Sequence, residues 1–273
     1  MPRPLRQRLA NVACLVLSPH LDDAVLSCAA LLGAAADTSS PAAPHHTARP
    51  KRAPRHVVAT VFTEAGPGPW SPLGRRIAGA AGHADPHRSL AARREEDLTA
   101  LGGLGVHVRH LGFTEAPYRR AGDRRHGRWL YPTFRYDALR GRVSRADRGL
   151  AARLREAMEQ LFARERASVV LAPLGIGRHV DHLLVRDAAA SAERPPGCAL
   201  VYYSDFPYWS RAAPDPRFVA EHGLVPLDRR RDPAVTAAMI DGYPSQRSVL
   251  FPDGRIADLP DRYWLPASEA AVR

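Results

Sequence analysis

Five short strand-like runs recur along the chain, separated by stretches in which apolar residues have helical spacing. The first of them, NVACLVL over residues 11–17, is continuously apolar. A continuous apolar run is typical of a strand covered on both faces of a parallel sheet, because a half-exposed strand would alternate apolar and polar residues. The runs predict strands over residues 11–17, 55–62, 106–111, 168–172 and 199–204. The spacing predicts helices over residues 23–35, 86–101, 150–164, 182–192 and 232–240, and a tail of strand and coil from about Arg247.

The alternation of strands and helices predicts an α/β fold, with a Rossmann-like, mostly parallel sheet of about five or more strands and helices on both faces. In the strand order 3-2-1-4-5, the first and fourth predicted strands are neighbours at the switch point, where open α/β sheets bind ligands. We expect a single domain over residues 1–273. Residues 37–54 are rich in proline and small residues and lack periodicity, which predicts a mobile surface loop.

Two polar motifs directly follow the first and fourth predicted strands. They read SPHLDDAVLS and PLGIGRHVDHLLV, and each leads into a predicted helix. Because these two strands are expected to be neighbours, the motifs are expected to face each other across one crevice. Together they supply six side chains that can bind a metal or transfer a proton: His20, Asp22, Asp23, His179, Asp181 and His182.

The residue types in these motifs favour a catalytic metal site. Three ligands of the His/Asp/His kind leave a coordination position of zinc open to water, which distinguishes catalytic from structural zinc. A metal-bound water falls in pKa toward about 7, so a neighbouring carboxylate can take its proton. Each motif alone is weak evidence, because a helix cap beside a surface histidine gives the same pattern. His45 and His46 lie in the predicted loop, where solvated histidines are the simpler interpretation.

The composition leaves few other classes of function open. The formal net charge is +11, yet Lys51 is the only lysine, so the charge reflects arginines spread along the sequence rather than a basic face. A nucleic-acid-binding protein remains a remote alternative, because no recognition motif is present. The three cysteines form no spaced pair, which excludes a thiolate zinc site and leaves them as small buried residues. No apolar run approaches the roughly 20 residues that span a bilayer, and we expect a cytoplasmic location.

The two motifs resemble those of the PIG-L (LmbE-like) zinc-dependent N-deacetylases, whose signatures are a His-Pro-Asp-Asp-Glu type run and a His-x-Asp-His run. The resemblance covers most of the chain from Asn11 to Gln246. It extends to RREEDLTALG, in which Arg93 and Glu96 are in register, and to HLGFTEAPYR, YYSDFPY and YPSQ.

The resemblance implies a role for each matching residue. Zinc would be bound by His20, Asp23 and His182, with iron(II) as the alternative metal. Asp22 would be the general base, and His179 would polarise the amide carbonyl or protonate the leaving amine. Asp181 would orient a histidine. The expected substrate contacts are Arg93, Glu115 and Gln246, although a salt bridge on a helix surface is a competing interpretation of Arg93.

Two departures from the family pattern bear on the chemistry. Leu21 and Ala24 stand where the family usually has proline and glutamate. Gly177 stands where some members place a tyrosine that steadies the oxyanion. An oxyanion donor contributes a few kcal/mol to catalysis, so His179 alone, Arg178 or another loop is expected to take that role.

The predicted function is hydrolytic removal of an N-acetyl or other N-acyl group from an amino sugar or glycoconjugate in specialised metabolism. The alternatives are an amidase acting on a non-sugar N-acyl or thiol conjugate, and a catalytically inactive relative that only binds ligand. An arginine-rich stretch could meet a phosphate or carboxylate of the substrate, and interleaved aromatic residues could stack on a sugar or aglycone. For most of these residues a solvated, partly mobile loop is the alternative interpretation. The stretch contains Arg119, Arg120, Arg124, Arg125, Arg128, Trp129, Tyr131, Phe134, Arg135 and Tyr136.

Overall fold

A seven-stranded sheet forms the centre of the computed structural model, which describes residues 12–39, 56–122, 127–133, 137–139 and 141–270. The strands are β1 (Cys14–Ser18), β2 (Val57–Glu64), β3 (His107–Thr114), β4 (Arg120–Ala121), β5 (Arg128–Trp129), β6 (Val169–Pro173), β7 (Ala199–Tyr203), β8 (Leu224–Arg229) and β9 (Asp261–Pro266). The large sheet has the order β3-β2-β1-β6-β7-β9-β8, and β4 pairs with β5 in a separate ribbon. The first five strands of that order are parallel, and β9 and β8 add an antiparallel edge.

Helices cover both faces of the sheet, as the sequence predicts. The helices are α1 (Asp23–Ser39), α2 (Pro72–Ala80), α3 (Pro86–Gly102), α4 (Arg148–Glu165), α5 (Val180–Ser191), α6 (Pro216–Glu221), α7 (Pro233–Asp241), α8 (Pro244–Leu250) and α9 (Ala267–Ala270). Residues of α1 and α7 pack in one apolar core, and residues of α4 and α5 pack in another on the opposite face.

Alternate residues of the inner strands feed these two cores. In β1, Cys14 and Val16 join the core beneath α1, whereas Leu15 and Leu17 join the core beneath α4. All four side chains have no solvent exposure. Uninterrupted apolar strands therefore arise because both faces of the sheet are covered, which confirms the predicted α/β class and the predicted adjacency of the first and fourth strands.

The structure differs from the predicted elements in several places, and the short helices α6 and α8 are among the elements that were not predicted. Helix α1 continues to Ser39, so the predicted loop does not begin at residue 37. The rest of that loop, with His45 and His46, lies outside the described residues. Helix α2 occupies a glycine- and proline-containing stretch in which no helix was predicted, and Ser71 starts it by accepting a hydrogen bond from the Gly74 amide at 2.9 Å. The edge strand β8 was also not predicted, whereas β9 fulfils the predicted strand in the tail.

Two further expectations concern cysteines and membranes. Cys14 and Cys28 are buried and Cys198 is half-buried, in keeping with their interpretation as packing residues. Within the part of the chain that the structure describes, no helix combines the length and the apolar character needed to cross a bilayer.

Candidate active site

The two polar motifs meet at the carboxyl ends of β1 and β6. These strands pair in parallel, with Cys14 opposite Val169 and Val16 opposite Leu171, so their following turns leave the sheet side by side. The imidazole ring centroids of His20 and His182 lie 5.2 Å apart although the residues are distant in sequence. The crevice expected from the strand order therefore exists.

The first turn is shaped by its own polar side chains. Ser18 donates its hydroxyl hydrogen to the His20 carbonyl at 2.7 Å and accepts the Ala24 amide at 3.0 Å. Asp23 begins α1, and its Oδ2 accepts the His20 amide at 2.9 Å. A carboxylate suits this position because the first turn of a helix has unsatisfied N–H groups and a partial positive charge.

Asp23 lies between two imidazoles. Its Oδ2 is 3.2 Å from His20 Nδ1 and 3.3 Å from His182 Nε2. A third imidazole, that of His179, lies beside this pair, with its ring centroid 4.9 Å from that of His20 and 5.3 Å from that of His182. One possible ligand atom from each of the three histidines lies within 4.8 Å of the other two. The described residues thus offer two overlapping sets of metal ligands, which share His20 and His182.

A buried carboxylate backs each of the two shared histidines. Asp181 Oδ2 is 3.0 Å from His20 Nε2, and Asp205 Oδ1 is 2.6 Å from His182 Nδ1. These contacts leave His20 Nδ1 and His182 Nε2 to face Asp23. Carboxylates that accept the second N–H of an imidazole fix its tautomer and raise its basicity as a metal ligand.

Asp181 is itself held in place by several groups. It accepts hydrogen bonds from the Arg119 guanidinium and from the Ala116 amide, the latter at 3.0 Å. Arg119 is buried and also pairs with Asp147 at 3.2 Å. Although burial opposes ionisation, the charge of Arg119 and the hydrogen bond to His20 hold the pKa of Asp181 far below its usual range. Asp181 is therefore ionised and orients a histidine, and that histidine is His20.

Asp205 is a site residue that the sequence analysis did not identify. It follows β7 and is buried, and its Oδ2 accepts the Ile176 amide at 2.7 Å. That bond ties it to the turn that carries His179 and His182. The available signal was an acidic residue placed directly after a buried strand, at the same edge of the sheet as the two motifs.

We expect Asp205→Asn to weaken metal binding by about 10–100-fold, the usual effect of losing the partner of a ligating histidine. The amide keeps the size of the side chain but cannot bring a negative charge to His182 Nδ1. Metal affinity would be measured by competition with a chromogenic chelator. Asp228→Asn is the matched control, because Asp228 forms an exposed pair with Arg262 on the edge strand. Equal affinities in the two variants would remove Asp205 from the site.

His179 differs from the other two histidines in its hydrogen bonding. It precedes α5 as the N-cap residue, and its Nδ1 accepts the Asp181 amide at 3.2 Å. A neutral imidazole that accepts through Nδ1 carries its proton on Nε2, where it is a donor rather than a ligand. Burial and the neighbouring His20 hold the pKa of His179 well below its usual value, so the ring stays neutral.

Asp22 and the three histidines line one cavity, but Asp22 does not lie between two imidazoles as Asp23 does. Burial, together with the adjacent charge of Asp23, raises its pKa to about 7. Arg93 opposes this shift. A carboxylate with a pKa near neutrality is suited to accept and return a proton at physiological pH.

The three expected substrate contacts all line the cavity. Arg93 is buried, not on a helix surface, and its Nη1 donates to Glu115 Oε1 at 3.0 Å. The salt bridge considered for Arg93 is thus present, but it lies in the cavity wall. Gln246 lies in α8 and donates to Ser245 Oγ at 3.1 Å, which leaves part of its amide available to a ligand.

Tyr208 occupies the space in front of Gly177. Gly177 has a φ of +87°, and a Cβ built there would lie 2.5 Å from Tyr208 Cγ. Tyr208 comes from the loop after β7 and lines the cavity. Its ring is edge-on to the His182 ring, with the ring centroids 6.3 Å apart. Arg178 is exposed, lies against Gly141 and is absent from the cavity wall. A tyrosine is thus present beside the candidate metal site, but from a different loop.

The other two residues that depart from the family motif, Leu21 and Ala24, are buried among apolar side chains. Leu21 is fully buried in a small cluster with Leu90 and Tyr118, and Ala24 is buried in the core beneath α1.

The arginine-rich stretch behaves differently from expectation, because Arg119 is a buried partner of Asp181. Tyr131 is also buried and donates to Asp147 at 2.7 Å. Both side chains are thus engaged in contacts within the protein. Five other residues of the stretch lie outside the described residues: Arg124, Arg125, Phe134, Arg135 and Tyr136.

Comparison with known proteins places the chain beside deacetylases. No family model matches the sequence. Over 208 residues the chain is 36% identical to a 2'-N-acetylparomamine deacetylase of Streptomyces fradiae, a match covering 76% of this chain and 61% of that protein. The chain thus spans about three fifths of this relative's length. A solved deacetylase of the teicoplanin biosynthesis pathway has the same fold, with a TM-score of 0.71, 25% identity and coverage of 93% of this chain and 97% of that chain.

Proposed function

We propose that this protein is a metal-dependent hydrolase of the LmbE-like kind that removes an N-acetyl group from an amino sugar in specialised metabolism. One observation carries the proposal: Asp23 lies between two imidazoles that are each backed by a buried carboxylate, with Asp22 beside them. The similarity to deacetylases of N-acetylparomamine and of teicoplanin biosynthesis supports both the reaction and the sugar substrate.

The donor set fits a divalent metal. We assign His20 Nδ1, one Asp23 oxygen and His182 Nε2 as ligands. The two nitrogens lie 3.2 and 3.3 Å from Asp23 Oδ2, and a buried carboxylate holds the other ring nitrogen of each histidine. His179 is left out of the set because its Nε2 is protonated. Two imidazoles and a carboxylate suit zinc, and iron(II) would accept the same ligands. The metal would lower the pKa of a water molecule and polarise the acyl carbonyl.

The protein's own residues then divide the proton transfers and the charge stabilisation. Asp22 takes a proton from the attacking water and can return it to the leaving nitrogen. His179 donates a hydrogen bond from Nε2 toward the acyl oxygen, on which negative charge develops. Arg93, fixed by Glu115, provides a buried cation beside Asp22. The products are a free amine and acetate.

Tyr208 is the second candidate donor for the developing negative charge. Burial raises the pKa of its hydroxyl, so the group stays protonated and able to donate. The ring can approach this position only because Gly177 has no side chain. Tyr208 would then take the role that the sequence analysis left open between His179, Arg178 and another loop.

We expect Gly177→Ala to lower kcat/KM by ~10-fold or more, since displacing one donor removes part of the ~10²–10³-fold effect of losing it completely. The added Cβ would force the Tyr208 ring away. Gly82→Ala is the matched control, because Gly82 has a similar φ of +84° but no atom within 4 Å of the added Cβ. Both variants carry backbone strain of about 1–3 kcal/mol, measurable by denaturant unfolding. Equal kcat/KM values for Gly177→Ala and Gly82→Ala would show that Tyr208 has no role in catalysis.

The proposed function is tested by measuring acetate release from a panel of N-acetyl compounds. The panel would contain N-acetylglucosamine glycosides, 2'-N-acetylparomamine, N-acetyl amino acids and an N-acetylcysteinyl thiol conjugate. We expect metal-dependent turnover of at least one sugar and loss of turnover on treatment with a chelator. Turnover confined to the amino-acid or thiol compounds would favour the non-sugar amidase instead.

A further inference from the structure

The mouth of the active-site cavity is apolar, although its floor is highly charged. The cavity has a volume of about 420 Å³ and reaches from the candidate metal ligands to the surface between α2 and α8. The charged groups of its floor are those already described. The apolar part of its wall is formed by six side chains, of which Leu26 and Leu73 are buried and Val249 is exposed: Leu26, Leu73, Ile77, Ala80, Val249 and Leu250.

Two helices present apolar side chains to this cavity, and Leu250 of α8 also packs against the core beneath α1. In α2, Leu73, Ile77 and Ala80 recur at helical spacing and all line the cavity, whereas Gly74 and Ala78 face the body of the protein. In α8, Gln246, Val249 and Leu250 line it in the same way. Such stripes normally pack against another element. Val249 is instead 52% exposed, so the molecule leaves this surface available to a ligand.

The charges around the mouth do not suit a cationic ligand. Three carboxylates line the cavity, and each has a role at the floor: Asp23 contacts the histidines, Glu115 pairs with Arg93, and Asp22 is the proposed base. At the mouth, the charged lining residue is the exposed Arg76. Among the described residues of this wall, a substrate with several ammonium groups would find no unused carboxylate.

From these observations we propose that the substrate carries an apolar aglycone, an alkyl or aromatic group attached at the anomeric carbon, next to the carbon that bears the amide. This inference rests on the proposed function. The scissile amide must reach the charged floor, so an aglycone on the neighbouring carbon can extend from the floor along the wall between α2 and α8. The aglycone there covers the two apolar stripes and thereby contributes binding energy at a distance from the reaction.

The test is a series of alkyl N-acetylglucosaminides with methyl, butyl, hexyl and octyl chains, used below their micellar concentrations with the metal-loaded protein. We expect kcat/KM to rise by about fourfold for each methylene that becomes fully buried, the equivalent of ~0.8 kcal/mol. Equal values for methyl and octyl glycosides would overturn the inference and leave the proposed function intact. No acetate from this series or from any other N-acetyl sugar of the panel would overturn both. A preference for an N-acetyl sugar bearing two free ammonium groups would also overturn the inference.

Two variants connect the chain-length effect to this wall. Ile77→Ser and Val249→Ser should reduce the octyl-to-methyl ratio of kcat/KM at least fivefold. Leu98→Ser is the matched control, since Leu98 is 43% exposed on α3 and absent from the cavity wall, and it should leave the ratio unchanged. An unchanged ratio in Ile77→Ser and Val249→Ser would show that the alkyl chain binds elsewhere. A rate gain with N-octanoylglucosamine but not with octyl N-acetylglucosaminide would place the apolar group on the acyl side, against the proposal.

Discussion

Replacing Asp22 by asparagine is expected to lower kcat by about 10²–10⁴-fold, the range that a positioned general base contributes. The amide has nearly the same shape as the carboxylate but cannot take a proton from water. Asp22 stands apart from the imidazole pair that Asp23 bridges, so the metal should remain bound. Acetate release at saturating substrate gives kcat, and elemental analysis after dialysis gives the metal content.

The two measurements together distinguish a chemical role from a structural one. A variant that keeps one metal per chain and its unfolding free energy, yet turns over far more slowly, identifies Asp22 as the base. Loss of metal in Asp22→Asn would instead make Asp22 part of the ligand set. Full activity with full metal content would assign the proton transfer to another group.

The predictable part of the structure follows from sheet topology. The strands of the inner sheet are apolar on both faces, as the complete burial of β1 illustrates, so their positions stand out in the sequence. The strand order then brings His20 and His182 together, because strands on either side of a switch point direct their following turns into one crevice. Convergence of the two motifs is therefore a consequence of the order of elements, and it could be predicted without coordinates.

Residues whose role depends on tertiary contacts could not be assigned in the same way. Asp205 is identifiable as an acid after a buried strand, but its contact with His182 depends on how the turns after β6 and β7 pack. Arg119 was grouped with the arginines that could meet an anionic substrate group, yet it is buried as the ion-pair partner of Asp181. Charge patterning along a sequence does not distinguish a solvated arginine from a buried partner.

The missed helices have a related explanation. Helix α2 contains two glycines within nine residues, and three of its apolar residues, Leu73, Ile77 and Ala80, line a cavity. Helix α8 is shorter still, and it is fastened through Ser245, whose hydroxyl donates to Glu96 Oε2 at 2.6 Å. Elements that shape a binding site rather than a core are weakly marked by core periodicity.

The second large effect is expected from two variants, Asp23→Asn and His179→Gln, which distinguish the two overlapping sets of metal ligands. Asp23→Asn should weaken metal binding by more than the ~10–100-fold that follows loss of an outer partner, because a neutral amide is a much poorer ligand than a carboxylate. The amide oxygen can still accept the His20 amide hydrogen, so the start of α1 is preserved. His179→Gln should retain the metal and lower kcat by ~10²–10³-fold, as expected when one donor to a developing oxyanion is lost.

Metal affinity from chelator competition and kcat are measured for both variants. The two possible sets of metal ligands predict opposite results for these measurements. With His20, Asp23 and His182 as ligands, Asp23→Asn loses the metal and His179→Gln keeps it. With three histidines as ligands, the order reverses. The Nδ1 of His179 accepts the Asp181 amide at the N-terminus of α5, so its remaining proton occupies the nitrogen that a metal would need. Binding a metal through His179 would require that proton to leave, and this cost favours Asp23 as the third ligand.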